Sequence, residues 1–308
     1  MMVYNSGSGV KLFQKTIFFL SMLIAVYGCY QYFSINSIYE FWYYGPLKEK
    51  GYDLQIWNSF RDGRPRISSV FTSSLEFSFF IVSCFFIMLP YCWFGVKRKS
   101  AKSKVLYCFS FFITCSFLFF VVLISTVRSA QVCLFGGLIY AVLLINLKSR
   151  ISIFILGLLI FVGLSSLTFL YIGLGYTEEL SAEGRVVQWA FVLGNLTDSI
   201  FGRGFSSIGP SQEIWFDSFW LNLIYSLGII PVLFFFLMFY VFYKVVDVYV
   251  SSIDYSCFSF TALGFSSTIL LPILLYASLF QAFYNSTVFY ILCITCSVVI
   301  YGKNKIEN

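Results

Sequence analysis

Residues 151–172 read ISIFILGLLIFVGLSSLTFLYI, twenty-two positions without a charge, directly preceded by Lys148, Ser149 and Arg150. A helix rises about 1.5 Å per residue, so about twenty apolar residues cross a hydrocarbon layer roughly 30 Å thick. The run is therefore a transmembrane helix. Working outward, seven more stretches read the same way: 15–34, 75–95, 105–125, 129–147, 218–243, 257–281 and 286–301. Composition agrees, with 59% hydrophobic and 11% charged residues, against roughly a quarter charged in soluble domains. The expected fold is all-α, a polytopic transmembrane helical bundle of about eight spans forming a single integral membrane domain over residues 1–308. Lys11 and Lys15 precede an apolar run too long for a cleavable signal core, so it is expected to be retained as the first span.

Eight spans divide the twenty basic residues between two sides. One side carries Lys11, Lys15, Lys97, Arg98, Lys99, Lys102, Lys104, Lys148, Arg150, Lys244, Lys303 and Lys305, ten of the twelve being lysine. The other carries Lys48, Lys50, Arg61, Arg64, Arg66, Arg128, Arg185 and Arg203, six of the eight being arginine. Lysine at span ends marks the cytoplasmic face, which puts both termini in the cytoplasm. Arginine on the outer face needs another reason, and its planar fork suits phosphate or carboxylate. The net charge of +6 does not point to nucleic acid. The outer side has eight basic against eleven acidic residues, and the excess positive charge lies inside, as insertion topology alone produces.

Two long connections fall outside, 35–74 and 173–217. Both exceed the usual length of structureless loops, which points to function. Within the second, residues 184–196 (GRVVQWAFVLGNL) are expected to form a helix in the membrane interface with Trp189 as anchor. In the first loop, Pro65 favours an extended chain, so Arg64 and Arg66 would face the same way and suit a diphosphate. The alternative is a solvated loop paired with Asp53 or Asp62.

Arg128 lies in the short outer connection Ser125–Ser129, where an arginine either serves a site or snorkels to headgroups. Arg185 opens the apolar stretch of the second loop. Arg203 sits between Gly202 and Gly204, glycines that permit either close approach to a ligand or a purely structural turn. Asp217 precedes FWLNLIYSLG, where it serves as helix N-cap, as general base, or as both. Glu183 is the second-choice carboxylate.

The chain has no histidine, which excludes imidazole catalysis and His-ligated metal. No phosphate-binding glycine loop or closely spaced aspartate pair points to nucleotide or metal use. The nine cysteines lie in or beside apolar runs, and the Cys293–Cys296 pair reads as packing on one helix face.

Four stretches, in order, resemble the O-antigen polymerase and ligase superfamily. STVRSAQVCLFGGLIYAVLL (125–144) resembles its outer turn and following span. EGRVVQWAFVLGNLTDSIFGRGFSSIG (183–209) is similar to its large periplasmic loop, and FDSFWLNLIYSLGIIPVLFFFL (216–237) to the span after it. RPRISSVFTSSLEF (64–77) is similar to its arginine-and-aromatic loop.

The resemblance implies a GT-C-like bundle in the bacterial inner membrane. It further implies a metal-independent glycosyltransferase without cofactor, polymerising undecaprenyl-diphosphate-linked oligosaccharide repeats of O-antigen or a related surface polysaccharide at the periplasmic face. Arg128 and Arg185 would match the family's diphosphate-binding or catalytic arginines, and Asp217 would be the base. Arg64, Arg66, Arg203 and Glu183 would contact substrate. Expected partners are the lipid-linked oligosaccharide, membrane lipid and a chain-length regulator protein. Ligases of the family typically carry a histidine near the position of Asp217, which favours polymerase here. A ligase acting on lipid A core, a flippase or transporter for lipid-linked sugars, and a non-catalytic scaffold remain the alternatives.

Overall fold

Hydroxyl side chains start two of the helices and glycine ends one of them. The N–H of Glu76 donates to the Ser73 hydroxyl at 3.2 Å, and that of Leu221 to the Ser218 hydroxyl at 3.3 Å. Each bond satisfies one of the four N–H groups that a helix start leaves without an intrahelical partner.

The structure is a computed structural model describing residues 7–34, 60–61, 64–65, 67–71, 73–95, 101–173, 180–195, 200–204, 207, 216–254, 258–280, 291–297 and 299. In chain order the elements are α1 Gly7–Ser34, β1 Phe60–Arg61, β2 Arg64–Pro65, α2 Ser74–Gly95, α3 Ala101–Ile124, α4 Arg128–Asn146 and α5 Arg150–Gly173. They continue with α6 Leu180–Gly194, α7 Phe219–Leu227, α8 Ile230–Asp254 and α9 Phe258–Phe280. Among the described residues the regular structure is helical apart from the antiparallel pair β1–β2.

Among the described residues, five helices are long and apolar enough to cross a membrane: Leu12–Phe33, Arg128–Asn146, Arg150–Tyr171, Ile230–Ile253 and Thr261–Leu279. Ser74–Pro90 and Phe112–Ile124 are shorter apolar helices, and residues 291–297 are helical. The expected run 218–243 is corrected, because it contains two helices. The chain breaks at Gly228, with φ +64° and ψ −125°, between α7 and α8. Apolarity continues through the break, so hydropathy alone could not see it.

The chain falls into two compact units, Met1–Leu134 with Cys257–Ser266, and Phe135–Ser256 with Ser267–Asn308. In the first, α1, α2 and α3 pack against one another. Gly28 makes the α1–α2 contact possible, since a Cβ there would lie 2.6 Å from the Phe77 ring. The segment Ile67–Ser69, at the end of the first long loop, packs into this unit, with Ile67 and Ser69 buried. Ser69 has φ +52° and is held by the Gln31 amide. Its N–H donates to Gln31 Oε1 at 2.6 Å, and Gln31 Nε2 donates back to its carbonyl at 3.3 Å.

In the second unit α5 packs on α8, α6 on α5 and α7, and α7 on α8. Aromatic rings fill the α5–α8 seam: Phe154 against Phe242 at 5.2 Å, and Phe161 against Phe235 and Phe239 at 6.0 Å. Gly157 leaves room for Phe242, because a Cβ there would lie 2.3 Å from the ring. At one end of the seam Arg150 Nη1 pairs with Asp247 Oδ1 at 2.7 Å, and its Nη2 donates to the Ser251 hydroxyl at 3.2 Å. The opposite end carries α6, α7 and the start of α8. The spans differ sharply in exposure. Of Thr261–Leu279, 94% is buried, against 17% of Arg150–Tyr171.

Candidate functional site

The FGRG stretch is shaped by the end of α7. A helix leaves its last carbonyls without intrahelical donors, and here residues 200–204 supply them. The N–H of Arg203 donates to the Tyr225 carbonyl at 3.1 Å, and that of Gly204 to the Ser226 carbonyl at 2.9 Å. The Ile229 N–H closes the strap onto the Ile200 carbonyl at 2.9 Å. The approach requires glycine at two positions. A Cβ on Gly202 (φ +81°) would lie 2.3 Å from the Ser226 carbonyl oxygen, and one on Gly228 would overlap the Ile200 carbonyl. Of the two readings open for Gly202, the structural one is realised: it meets protein backbone.

Arg203 is presented on this strap. Its Nη1 donates to the Tyr225 hydroxyl at 3.1 Å, and the guanidinium carbon lies 5.1 Å from the Tyr225 ring centroid. A cation over an aromatic face at this range contributes about 0.5–1 kcal/mol at an exposed site. Tyr225 is itself buried, wedged edge-on against Phe216 at 5.2 Å and stacked with Phe191 at 6.2 Å. It joins Val192, Phe216 and Leu221 in a small apolar core.

Asp217 lies just before α7, partly exposed, and its N–H donates to Gln188 Oε1 at 3.1 Å. It is not the cap of α7; that position belongs to Ser218, whose hydroxyl accepts from Leu221. Asn222 secures the same corner, its Nδ2 donating to the carbonyls of Phe216 at 2.6 Å and Ser218 at 2.7 Å. Trp220 ties α7 to α9 through Nε1 donating to the Ser278 hydroxyl at 2.7 Å.

Arg185 and Glu183 are positions on α6, and their side chains lie outside the described residues. Residues three and four apart share a helix face, so position 185 lies one turn from Gln188 and Trp189. A helix is present there, spanning Leu180–Gly194, but Trp189 does not face outward from it. The indole packs against the Val192–Tyr225 core and meets Phe169 edge-on at 6.3 Å. Its Nε1 is buried without a hydrogen-bond partner among the described residues. Val187, Phe191 and Leu193 are exposed apolar side chains of this helix. An apolar groove of about 800 Å³ runs along α5, lined by Phe161, Ser165, Phe169 and Leu279 among others. Phe169 thus joins the groove to Trp189.

Arg128 belongs to the other unit. It is exposed and is the first residue of α4 rather than part of the turn. The turn before it contains Thr126 at φ +59°, a conformation that costs a β-branched residue on the order of 1–3 kcal/mol. The hydroxyl of Thr126 is buried without a partner among the described residues. Gln131 folds back so that its Nε2 donates to the Leu123 carbonyl at 3.1 Å. In the first loop Arg64 is in β2, extended as expected, with its Cα opposite that of Arg61. Arg66 lies outside the described residues.

Within the second unit Asp217 lies beside Gln188 of α6, the helix that carries positions 183 and 185, whereas Arg203 sits at the other end of α7. Sequence reasoning missed Gln188, Tyr225, Ser218 and Asn222. Gln188 had a signal: it is the one polar residue of VVQWAFVL, 186–193. Among the described residues, no group of three Cys, Asp or Glu is arranged to hold a metal ion. Comparison of the chain with known proteins finds no matching family model, no matching curated protein and no matching solved structure.

Proposed function

We propose that this protein is a metal-independent glycosyltransferase that polymerises undecaprenyl-diphosphate-linked oligosaccharide repeats of O-antigen or a related surface polysaccharide at the periplasmic face of the inner membrane. The observation that carries the reading is the Gln188–Asp217 hydrogen bond. It ties the carboxylate's backbone to the helix that bears Arg185, one turn from that arginine's position. The groove along α5 offers an apolar wall to a lipid carrier's tail.

In the reaction proposed, an acceptor sugar hydroxyl attacks the anomeric carbon of the donor. The bond from that carbon to the diphosphate oxygen breaks, and the carrier diphosphate leaves as an anion. The hydroxyl proton passes to the Asp217 carboxylate. Arg185 offsets the growing negative charge and stays protonated at any physiological pH. Arg203 and Glu183 hold the substrates.

The test is complementation of a deletion strain, read as the polysaccharide ladder. One-repeat molecules in the deletion fit a polymerase; bare core fits a ligase. Arg185→Ala should reduce chain extension about 10²–10³-fold, and more than Asp217→Ala. Arg185→Lys should fail as well, because an ammonium cannot make the bidentate contact. A full ladder from Arg185→Lys would sink this assignment.

A further inference from the structure

We infer that Arg203, on its Tyr225 shelf, is the binding site for the phosphate of a membrane lipid, whose chains lie beside Phe201. The site is built rather than incidental. The backbone of Arg203 is pinned to Tyr225, one guanidinium nitrogen is engaged by the Tyr225 hydroxyl, and the ring beneath is locked by Phe216 and Phe191. This arrangement holds the guanidinium over the ring with one nitrogen engaged, while the side chain stays exposed. Among the described residues Arg203 has no carboxylate partner. An exposed, pre-oriented guanidinium with no carboxylate partner among the described residues is complementary to a phosphate, which its fork grips with two parallel donors.

The neighbours say what the phosphate is attached to. Phe201, two residues away, is 83% exposed, and Ile200 is exposed beside it. The Ile200 carbonyl bonds the Ile229 N–H, which joins them to exposed Ile229, Ile230 and Leu233 at the start of α8. This helix is a candidate span, Ile230–Ile253, so its first turns mark one edge of the apolar layer. Large apolar side chains next to a lone guanidinium at that edge match a lipid with a phosphate head. The inference stands without sugar transfer, since a bilayer lipid and an isoprenyl carrier present the same group.

The experiment uses the full chain purified in detergent, with three probes: dioctanoyl phosphatidylglycerol, farnesyl phosphate and inorganic phosphate. Binding is read by native mass spectrometry and by ligand-induced shifts of the unfolding midpoint. Arg203→Gln should weaken binding of the lipid phosphates about tenfold, and Arg203→Lys should not restore it. Phe201→Ser should weaken both lipids and leave inorganic phosphate, the weakest ligand, unchanged. Loss confined to phosphatidylglycerol assigns the site to bilayer lipid, and loss confined to farnesyl phosphate assigns it to the carrier; either supports the site. Undiminished lipid binding by folded Arg203→Gln overturns it. Should that variant not fold, undiminished binding by Phe201→Ser overturns it equally. A silent polysaccharide ladder with intact lipid binding would count against the transferase reading alone.

Discussion

The two ends of the α5–α8 seam each use an arginine, and they use it in opposite ways. At the end holding the tight turn between α4 and α5, Arg150 spends its fork on protein. It pairs with Asp247 and donates to Ser251, whose own hydroxyl donates to the Asp247 carbonyl at 2.9 Å. At the other end Arg203 rests on an aromatic ring and a phenol, with glycines shaping the chain around it. A carboxylate partner makes an arginine a structural tie. An aromatic shelf orients the guanidinium without a carboxylate partner among the described residues. The comparison also explains an exception in the charge pattern: Arg150 is one of two arginines among twelve basic residues on the lysine-rich side, and its planar fork does there what an ammonium cannot.

The largest effect is expected from the strap itself. Gly228→Ala puts a Cβ into the Ile200 carbonyl at a φ of +64° and should cost about 3–5 kcal/mol. That loss would appear as a large fall in the unfolding midpoint in detergent. A near-normal midpoint would mean that the strap does not hold this end together. Next comes Asp247→Ala. The Asp247 side chain is 12% exposed but that of Arg150 is 48% exposed, so the freed guanidinium rehydrates and the loss should be about 1–2 kcal/mol. A double-mutant cycle with Arg150→Ala checks that the two are coupled. Smallest is Arg203→Gln, whose stability should fall by less than about 1 kcal/mol. A larger fall would place Arg203 with Arg150 as a tie, and the contrast between the ends would vanish.

Much of the helical framework was legible because span length and apolarity are local properties. The run 129–147 corresponds to α4 and 151–172 to α5, within a residue or so. The 218–243 run misled because α7 and α8 are both apolar, and only the backbone angles of Gly228 separate them. Arg128, Arg203 and Asp217 were found as charged residues in an apolar chain, a strong contrast to read. The partner of Arg203 was not, since Tyr225 matters through a contact that no spacing rule encodes. Trp189 shows the limit of composition: an indole suits an interface, yet here the packing of α6 on α5 and α7 turns it inward.

The Gln31–Ser69 clasp joins residues thirty-eight apart in the chain. Ser69 is thus held against the helix that ends at Ser34, by the Gln31 amide and by its own hydroxyl donating to the Ile24 carbonyl at 2.8 Å. Lengthening a closed excursion adds entropy only logarithmically, about 0.6 kcal/mol per doubling. Length added between the two clasped residues would therefore cost little, because the clasp fixes where the chain rejoins the helical unit.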